Sequence, residues 1–368
     1  METQKELFKQ ARITVVAVGG GGGNMLSHIM ANDIHKDVKT VAVNTDKQAL
    51  ENCPADVLLG IGKNGLGAGA KPTVAKKAAE DLADEIKEAI EGSDMVFIAA
   101  GLGGGTGTGA SPVIAEIAEK LGALVISVVT LPFSFEGKRR KKIATEGLAE
   151  LEIFSNSVIV IENNNLMKII DPKMGIKESF KKVDDILSQA INGVTGVILA
   201  SGENDINLDF ADLKTVMDNR GRAIMGVGES QTGDAEQALD SAMDSPLIDN
   251  ADFSQAKGVL VHFHLHPEYP FFQLGMAMEE IQERVHEDCE IIFGTTTTDA
   301  VDPNSIHTTL VATGIFNQEE ASKESRNILS EEQIMVNVQR MAPSIEKINT
   351  EQGHPNLDIP SYTRRRGI

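Results

Sequence analysis

Large aromatic and sulfur-containing side chains are scarce in this sequence. Its 368 residues include no Trp, two Tyr and two Cys, and aromatic residues make up 4% of the chain. Val, Ile, Leu, Ala and Met must therefore build the core. Cys53 and Cys289 lie far apart and form no C-x-x-C pair. This spacing excludes a disulfide framework and a cysteine zinc site, and is typical of a protein in a reducing compartment.

Long apolar runs are also missing. The longest, Leu121–Phe133, is too short to span a bilayer, and the polar segment Met1–Arg12 has no signal-peptide pattern. Positive charge is in deficit, because the formal net charge is −20. This deficit argues against nucleic acid or an anionic membrane as the main partner. The short apolar runs argue against direct membrane insertion. We therefore expect a soluble cytoplasmic protein.

Short apolar runs alternate with amphipathic stretches in the first half of the chain. The runs are rich in β-branched residues and apolar on both faces, which indicates buried parallel strands: Ile13–Val18, Thr40–Val43, Val57–Ile61, Asp94–Ala100, Leu124–Val129 and Val158–Ile161. The four-residue spacing from Val74 to Ile90 predicts one helix between two of them. This alternation predicts an α/β fold with a doubly wound parallel sheet.

A different pattern follows in the second half. Apolar spacing from Ile176 to Val194 predicts a long central helix, and β-rich runs at Val259–Leu265, Glu290–Thr298 and Thr308–Phe316 predict a second, smaller α/β domain with a mixed sheet. Helices are expected near 211–220, 235–243 and 274–285. The predicted organisation is an N-terminal extension (1–11), a first domain (12–175), a central helix and connection (176–201), a second domain (202–316), a flexible polar linker (317–356) and a tail peptide (357–368).

Two glycine runs each follow a predicted buried strand. Five consecutive glycines, Gly19–Gly23, come directly after the first strand, and Gly103-Gly104-Gly105-Thr106-Gly107-Thr108-Gly109 follows another. A helix is expected to start near Ser111, with Pro112 in its first turn. Backbone amides at a helix N-terminus attract anions, and glycine allows close approach. Two such turns at the carboxyl edge of one sheet indicate a site for a di- or triphosphate.

Familiar phosphate-binding templates do not fit these runs. Asn24 occupies the place of the third glycine in the dinucleotide fingerprint, and the chain contains no Gly-Lys-Ser or Gly-Lys-Thr of a Walker A loop. A nucleotide-dependent oxidoreductase on a dinucleotide-binding domain is an alternative interpretation of these glycine runs, and tight NAD binding would support it.

Gly103–Gly109 matches the signature loop of the tubulin/FtsZ family at every position. Further segments resemble that family in the right order: Gly19–Asn24, Asn44–Asp46, Gly65–Ala70 and Asn207–Asp212, within a likeness over residues 12–316 and the terminal segment 357–366. The resemblance implies GTP binding with Mg²⁺ at the phosphates, GTP hydrolysis and head-to-tail filaments. Whether a monovalent cation also assists stays open.

The resemblance implies a nucleotide site residue by residue. It assigns the phosphates to Gly20, Gly21, Gly22, Gly23, Asn24, Gly105, Thr106 and Gly107, and the ribose region to Glu136 and Arg140. It assigns the base to Asp184, whose carboxylate can accept from two adjacent N–H groups of guanine. Phe180, one helical turn earlier, would pack on the base. Without the resemblance, the basic run around Arg140 would be a solvated helix face, Asp184 an exposed helix acid and Phe180 a core residue.

Catalysis is implied for Asn207, Asp209 and Asp212, which in this family reach the nucleotide of the next subunit and orient the attacking water. On spacing alone, Asp209 and Asp212 would be a helix cap and a first-turn acid. A tubulin-like regulator that does not hydrolyse GTP is a further alternative. Such a protein would lack the catalytic acids, so the presence of both Asp209 and Asp212 argues against it.

Partners and location are implied in the same way. The tail, with Leu357, Ile359, Pro360 and Tyr362 before three arginines, resembles a peptide that binds membrane-tethering and regulatory division proteins; the other interpretation is a solubilising tail. The resemblance places the protein in the cytoplasm, in a ring at the inner face of the membrane at mid-cell. His262, His264 and His266 alternate and could ligate a metal, but ordinary strand residues are the preferred interpretation, and no metal ligand is assigned.

Overall fold

The structure is a computed structural model, and it describes the ranges 11–31, 38–62, 64–171, 173–175, 178–179, 210–245, 247–248, 252–299 and 301–315. The chain divides into two units, Met1–Ile315 and Phe316–Ile368. The predicted central helix, the linker and the tail lie outside the described residues, apart from residues 178–179, and the domain boundaries stay predictions. In the described ranges, no helix combines the length and apolar character needed to cross a membrane.

Six parallel strands form the first part of the sheet, in the order β3-β2-β1-β4-β5-β6. Their bounds are β1 (Ile13–Val18), β2 (Lys39–Asn44), β3 (Val57–Gly60), β4 (Met95–Gly101), β5 (Leu124–Leu131) and β6 (Ser157–Glu162). From β1 the chain continues to β2 and β3 on one side of the sheet, and from β4 it continues to β5 and β6 on the other side. Because these two strands are neighbours, the sheet has its topological switch point between them.

Helices connect these strands and cover both faces of the sheet. They are α1 (Gly19–Ala31), α2 (Lys47–Glu51), α3 (Pro72–Glu80), α4 (Ala83–Ile90), α5 (Thr106–Lys120), α6 (Lys138–Phe154) and the short α7 (Asn163–Leu166). Alternate residues of β1 enter two different cores: Val15 and Ala17 pack with α1, and Val16 and Val18 pack with α3 to α6. Burial on both faces explains the continuous apolar runs and confirms the predicted doubly wound α/β class.

The second part of the sheet is mixed. Its elements are α8 (Phe210–Met217), β7 (Arg222–Ser230), α9 (Ala235–Met243), β8 (Gly258–Leu265), α10 (Phe271–Arg284), β9 (Glu290–Thr297) and β10 (Ile306–Thr313). β10 is antiparallel to β7 and β8, whereas β8 and β9 are parallel. Two residue pairs, Val158 with Arg222 and Ile159 with Ala223, join β7 to β6. The described strands therefore form one continuous hydrogen-bonded sheet, with α9 and α10 packed on a separate core of its second part.

Two sequence-based expectations were wrong in detail. The single helix expected from Val74 to Ile90 is interrupted at Asp81 and Leu82, which separate α3 from α4. The helix expected from Ser111 begins five residues earlier, so Pro112 lies inside α5 rather than in its first turn. Proline lacks a backbone N–H, but the main-chain carbonyl that loses this bond belongs to Thr108, near the start of the helix, where α5 tolerates the loss.

Strand β7 was not predicted at all. Its sequence contains Gly226 and Gly228, which weaken a strand pattern. The structure shows why glycine is needed: a Cβ on Gly226 would lie 2.0 Å from the carbonyl oxygen of Ala242, and one on Gly228 would lie 2.2 Å from the nitrogen of Ala242. Helix α9 therefore packs directly against the backbone of β7.

We expect Gly228→Ala to lower the free energy of unfolding by about 1–3 kcal/mol, because the new methyl group overlaps the backbone of α9. Gly275→Ala is the matched control, since Gly275 lies on the exposed face of α10 and a Cβ there would meet no heavy atom within 4 Å. That variant should gain about 0.5–1 kcal/mol from helix propensity. Denaturant titration measures both, and equal effects of the two changes would contradict the packing argument.

His262 gives a pH-dependent prediction. Burial, and secondarily the neighbouring His264, lower its pKa to about 3. The ring titrates near 6.5 in the unfolded chain, so between pH 6.5 and about 3 the unfolded state binds the extra proton. Stability from this group is complete above pH 6.5 and falls by about 1.4 kcal/mol per pH unit below it. In a plot of unfolding free energy against pH, His262→Gln should reduce the slope between pH 6.5 and about 3 by the equivalent of one bound proton. An unchanged slope would show that His262 is not the titrating group.

Candidate functional site

The first glycine run forms the start of helix α1 rather than a loop before it. Gly19, with φ +71°, turns the chain out of β1, and Gly20 to Gly23 follow in helical conformation. A Cβ on Gly22 would lie 2.2 Å from the carbonyl oxygen of Ala99, and one on Gly21 would lie 2.9 Å from the Cα of Gly101. These glycines therefore let α1 pack tightly on β4. The first amides of α1 lack acceptors within the helix, as at any helix N-terminus.

Gly20 differs from its neighbours because a Cβ there would meet nothing within 4 Å. Gly23 also has room, with the Cys53 Sγ atom 3.7 Å from its added Cβ, and Asn24 is exposed. Packing explains the glycines at 21 and 22, but it does not explain the glycine at 20. An open position in the first turn of a helix is where an anion could approach the amides.

The second glycine run forms a turn and the start of α5. Gly103, with φ +95°, donates its N–H to the Thr108 hydroxyl at 2.9 Å, and Thr106 is the first helical residue. A Cβ on Gly107 would lie 2.3 Å from the carbonyl oxygen of Gly101. Because β1 and β4 are adjacent and parallel, the N-termini of α1 and α5 emerge side by side at the switch point of the sheet.

Loop 64–71 packs against the start of α5. A Cβ on Gly105 would lie 2.7 Å from the Ala68 Cβ and 3.1 Å from the Lys71 nitrogen. Several loop residues have positive φ, including Ala70 at 54°. The loop is held to the end of β2, where Gly67 donates to the Thr45 carbonyl at 3.0 Å. The Thr45 hydroxyl in turn lies 2.7 Å from the Thr106 hydroxyl. Three strand ends therefore meet at Thr106.

Glu136 and Arg140 lie next to the second glycine turn and form an ion pair with each other. The Glu136 carboxylate also accepts from the Phe133 N–H at 2.9 Å. A Cβ on Gly103 would lie 3.1 Å from the Arg140 carbonyl oxygen, which places the start of α6 against the turn. The two side chains predicted to lie near a ribose are thus at the same edge as the glycine turns.

Sequence reasoning missed Asn163, at the carboxyl end of β6. Its Oδ1 atom is buried and has no hydrogen-bond partner among the described residues. The neighbouring Asn164 has a structural task, since its Oδ1 accepts from the Ser134 N–H at 2.8 Å. A buried amide oxygen without a partner points to a ligand that supplies a donor. The signal was a run of three Asn directly after a buried strand.

The predicted catalytic and base-binding residues are only partly described. Asp212 is exposed in the first turn of α8, which packs on β8 and β9, at the far end of the strand order from the glycine turns. Asp184, Phe180, Asn207 and Asp209 lie outside the described residues, so their places stay predictions.

The three histidines do not share one site. His262 is buried, and its Nε2 lies 2.9 Å from the Thr296 hydroxyl; His264 lies beside His307, with ring centroids 6.1 Å apart. His266 lies beyond the end of β8, where its Nδ1 accepts from the Glu268 N–H at 3.2 Å. Across the described part of the chain, no group of three or more His, Cys, Asp or Glu side chains is arranged to hold a metal ion.

Comparison with known proteins gives consistent matches. Residues 12–171 match the family described as "Tubulin/FtsZ family, GTPase domain", and residues 221–316 match "FtsZ family, C-terminal domain". The chain is 42% identical over 371 residues to the cell division protein FtsZ of Helicobacter pylori strain 26695, covering 99% of this chain and 94% of that protein. It is 43% identical over 317 residues to FtsZ of strain J99, covering 85% and 82%.

Solved structures agree with these sequence matches. An empty FtsZ dimer of M. jannaschii superposes with a TM-score of 0.78 and 42% identity, over 84% of this chain and 90% of that one. CetZ2 of Haloferax volcanii, at 21% identity, has a TM-score of 0.68 over 88% of this chain and 99% of its own, which shows a shared fold.

Proposed function

The chain belongs to the FtsZ family of tubulin-like cell-division GTPases, and from this premise we propose that it binds and hydrolyses GTP while polymerising head-to-tail into the filaments of the division ring. The observation that carries the proposal is the pair of glycine-bearing helix N-termini, side by side at the switch point of the sheet. The proposed place of action is the cytoplasm, at the inner face of the membrane at mid-cell.

The phosphates of GTP would lie across the starts of α1 and α5. The proposed phosphate residues Gly20–Asn24 and Gly105–Gly107 lie at two helix starts, where the first-turn amides lack helical acceptors and aligned peptide dipoles favour negative charge. The Thr106 hydroxyl adds a donor between them. Because the chain carries a net charge of −20, this local arrangement of amides, rather than the overall field, must hold the polyanion.

The nucleoside would lie toward β5 and β6. Arg140 and Glu136 supply one cation and one carboxylate near the ribose, and Asn163 supplies a buried amide oxygen for an N–H or O–H donor. Asp184 would accept from the two adjacent N–H groups of guanine, which adenine lacks, and Phe180 would pack on the base. The roles of Asp184 and Phe180 rest on the family resemblance. The roles of Glu136, Arg140 and Asn163 rest also on their position at the carboxyl edge of the parallel strands, where the glycine turns lie.

Mg²⁺ would enter with the nucleotide. It usually keeps several waters and binds through substrate phosphates with one or two protein groups, so a dedicated cluster of carboxylates is not required. The ion would neutralise charge that develops on the phosphates during hydrolysis.

Hydrolysis would require a second copy of the chain. Asp212 lies on α8, among elements distant in strand order from the glycine turns. Asn207, Asp209 and Asp212 of one copy would hold and polarise the water that attacks the GTP of the next copy. A contact of this kind joins two different surfaces of the same protein and therefore builds an open filament.

Two exposed apolar patches of opposite charge support such a contact. Phe135, 68% exposed and stacked on Phe133, precedes the basic first turns of α6, Lys138–Lys142. On α10, Phe271 and Phe272 are 69% and 78% exposed. Exposed acidic residues lie before and after this pair in the sequence: Glu268 precedes it, and Glu279 and Glu283 lie further along α10. One patch would complement the other in charge and in apolar character, but neither would match itself.

The remaining segments have proposed roles without structural support. Residues 317–356 would be a linker, and residues 357–368 a peptide that binds membrane-tethering and regulatory division proteins. The ring location follows from that attachment.

Gly20→Ala should separate binding from folding. The new methyl group has space in the protein and adds helix propensity, so the free energy of unfolding should stay equal or rise by up to about 1 kcal/mol. GTP affinity should fall, because the methyl group occupies the proposed approach to the amides of α1. Equilibrium binding and thermal melting of the same variant give both values. Unchanged GTP affinity would remove Gly20 from the site, and tight NAD binding in place of GTP would favour a dinucleotide enzyme.

Asp212→Asn should leave GTP binding unchanged and nearly abolish phosphate release, because the amide is a weaker base at the attacking water. Wild-type release should begin only above a threshold protein concentration, together with pelleting of filaments. A mixture of Asp212→Asn and Gly20→Ala chains should recover turnover, since one copy supplies the bound GTP and the other supplies Asp212. Release proportional to concentration without pelleting, or no recovery in the mixture, would show that each monomer has a complete site.

A further inference from the structure

Thr45 is a buried polar residue at the point where β2 ends, and 6% of its surface is exposed. Its hydroxyl lies 2.7 Å from the hydroxyl of Thr106, and either oxygen can be the donor. Among the described residues, Thr106 is the hydrogen-bond partner of this hydroxyl. We propose that Thr45 is a positioning residue of the nucleotide site, which aims the Thr106 hydroxyl at the phosphates. The inference rests on the GTP site proposed above.

The two hydroxyl groups carry two protons, and one of them is used in the bond that joins the residues. When Thr45 donates, Thr106 keeps its own proton for a further acceptor. Thr45 is buried, whereas Thr106 is partly exposed at the first position of α5. The residue that can reach a bound anion is therefore Thr106. Thr45 accordingly acts through its partner and does not touch the ligand.

Thr106 is also fixed from the side of β1. A Cβ on Gly19 would lie 3.1 Å from the Thr106 Cβ and 3.0 Å from the Gly107 nitrogen. The Thr106 side chain thus lies between the turn after β1 and the end of β2. Packing by Gly19 limits where its Cβ can move, but packing alone does not choose the direction of the hydroxyl proton. A hydrogen bond donated by Thr45 would supply that choice.

Main-chain bonds of residues 45–47 hold loop 64–71. Gly67 donates to the Thr45 carbonyl at 3.0 Å, Lys47 donates to the Gly65 carbonyl at 3.0 Å, and Asp46 forms a bridge with Leu66. The far end of the loop returns to Gly105, beside Thr106. The backbone of Thr45 therefore holds the loop, and the side chain of Thr45 holds Thr106. The loop and the start of α5 are thus both attached to Thr45.

The test compares Thr45→Val, which replaces the hydroxyl by a methyl group of similar size, with Thr45→Ser, which keeps the hydroxyl. Thr106→Val and the double valine variant complete a double-mutant cycle. Affinity is measured for a non-hydrolysable GTP analogue and for guanosine, which has no phosphates, at protein concentrations below the assembly threshold. Thermal melting without nucleotide checks that each variant is folded.

We expect Thr45→Val to weaken binding of the GTP analogue roughly 2- to 10-fold, in the range of one hydrogen bond between neutral groups. Guanosine affinity should not change, Thr45→Ser should recover most of the loss, and the double variant should be little worse than Thr106→Val. Additive losses in the cycle, an equal loss for guanosine, or no recovery by serine would overturn the positioning role. Failure of the wild-type chain to bind the GTP analogue would instead reject the proposed function itself.

Discussion

The close approach of α1 and α5 to the backbone of β4 is the constraint on which the candidate site depends. Added Cβ atoms on Gly22 and Gly107 would lie 2.2 and 2.3 Å from carbonyl oxygens of β4, distances that no side chain tolerates. Glycine at these positions brings two helix N-termini to adjacent strand ends. The amides that could bind phosphate are therefore positioned by packing, and the same residues serve the fold and the site.

Features that depend only on a local sequence pattern could be predicted, whereas features that depend on a packed neighbour could not. The first six strands are buried on both faces, so their continuous apolar runs were clear, and their predicted positions are within about two residues of the structure. β7 was missed because Gly226 and Gly228 meet the needs of a neighbouring helix, which a local pattern does not contain. For the same reason, glycines at 21, 22 and 107 were assigned to ligand contacts, although packing already accounts for them.

Site residues show the same division between local and long-range information. The two glycine turns were found because each directly follows a strand, and parallel strands bring their carboxyl ends together. Asn163 was missed because its significance depends on burial without a partner, which only the folded chain reveals. The Thr45–Thr106 contact joins residues 61 apart in sequence, and no spacing rule connects them. Asp184, Phe180, Asn207 and Asp209 rest on resemblance alone.

The basic surface at the start of α6 links the candidate nucleotide site to the proposed contact between copies of the chain. Helix α6 begins with five consecutive basic residues, Lys138–Lys142, at the end where the helix dipole disfavours positive charge. Two ion pairs along the helix, Glu136 with Arg140 and Lys142 with Glu146, offset only part of this. In a chain with a net charge of −20, a source of negative charge beside this basic surface would stabilise it. A bound nucleotide and the acidic α10 surface of a second copy would both supply that charge. Nucleotide binding and self-association would then stabilise the same segment, which couples the two processes without any further change in the fold.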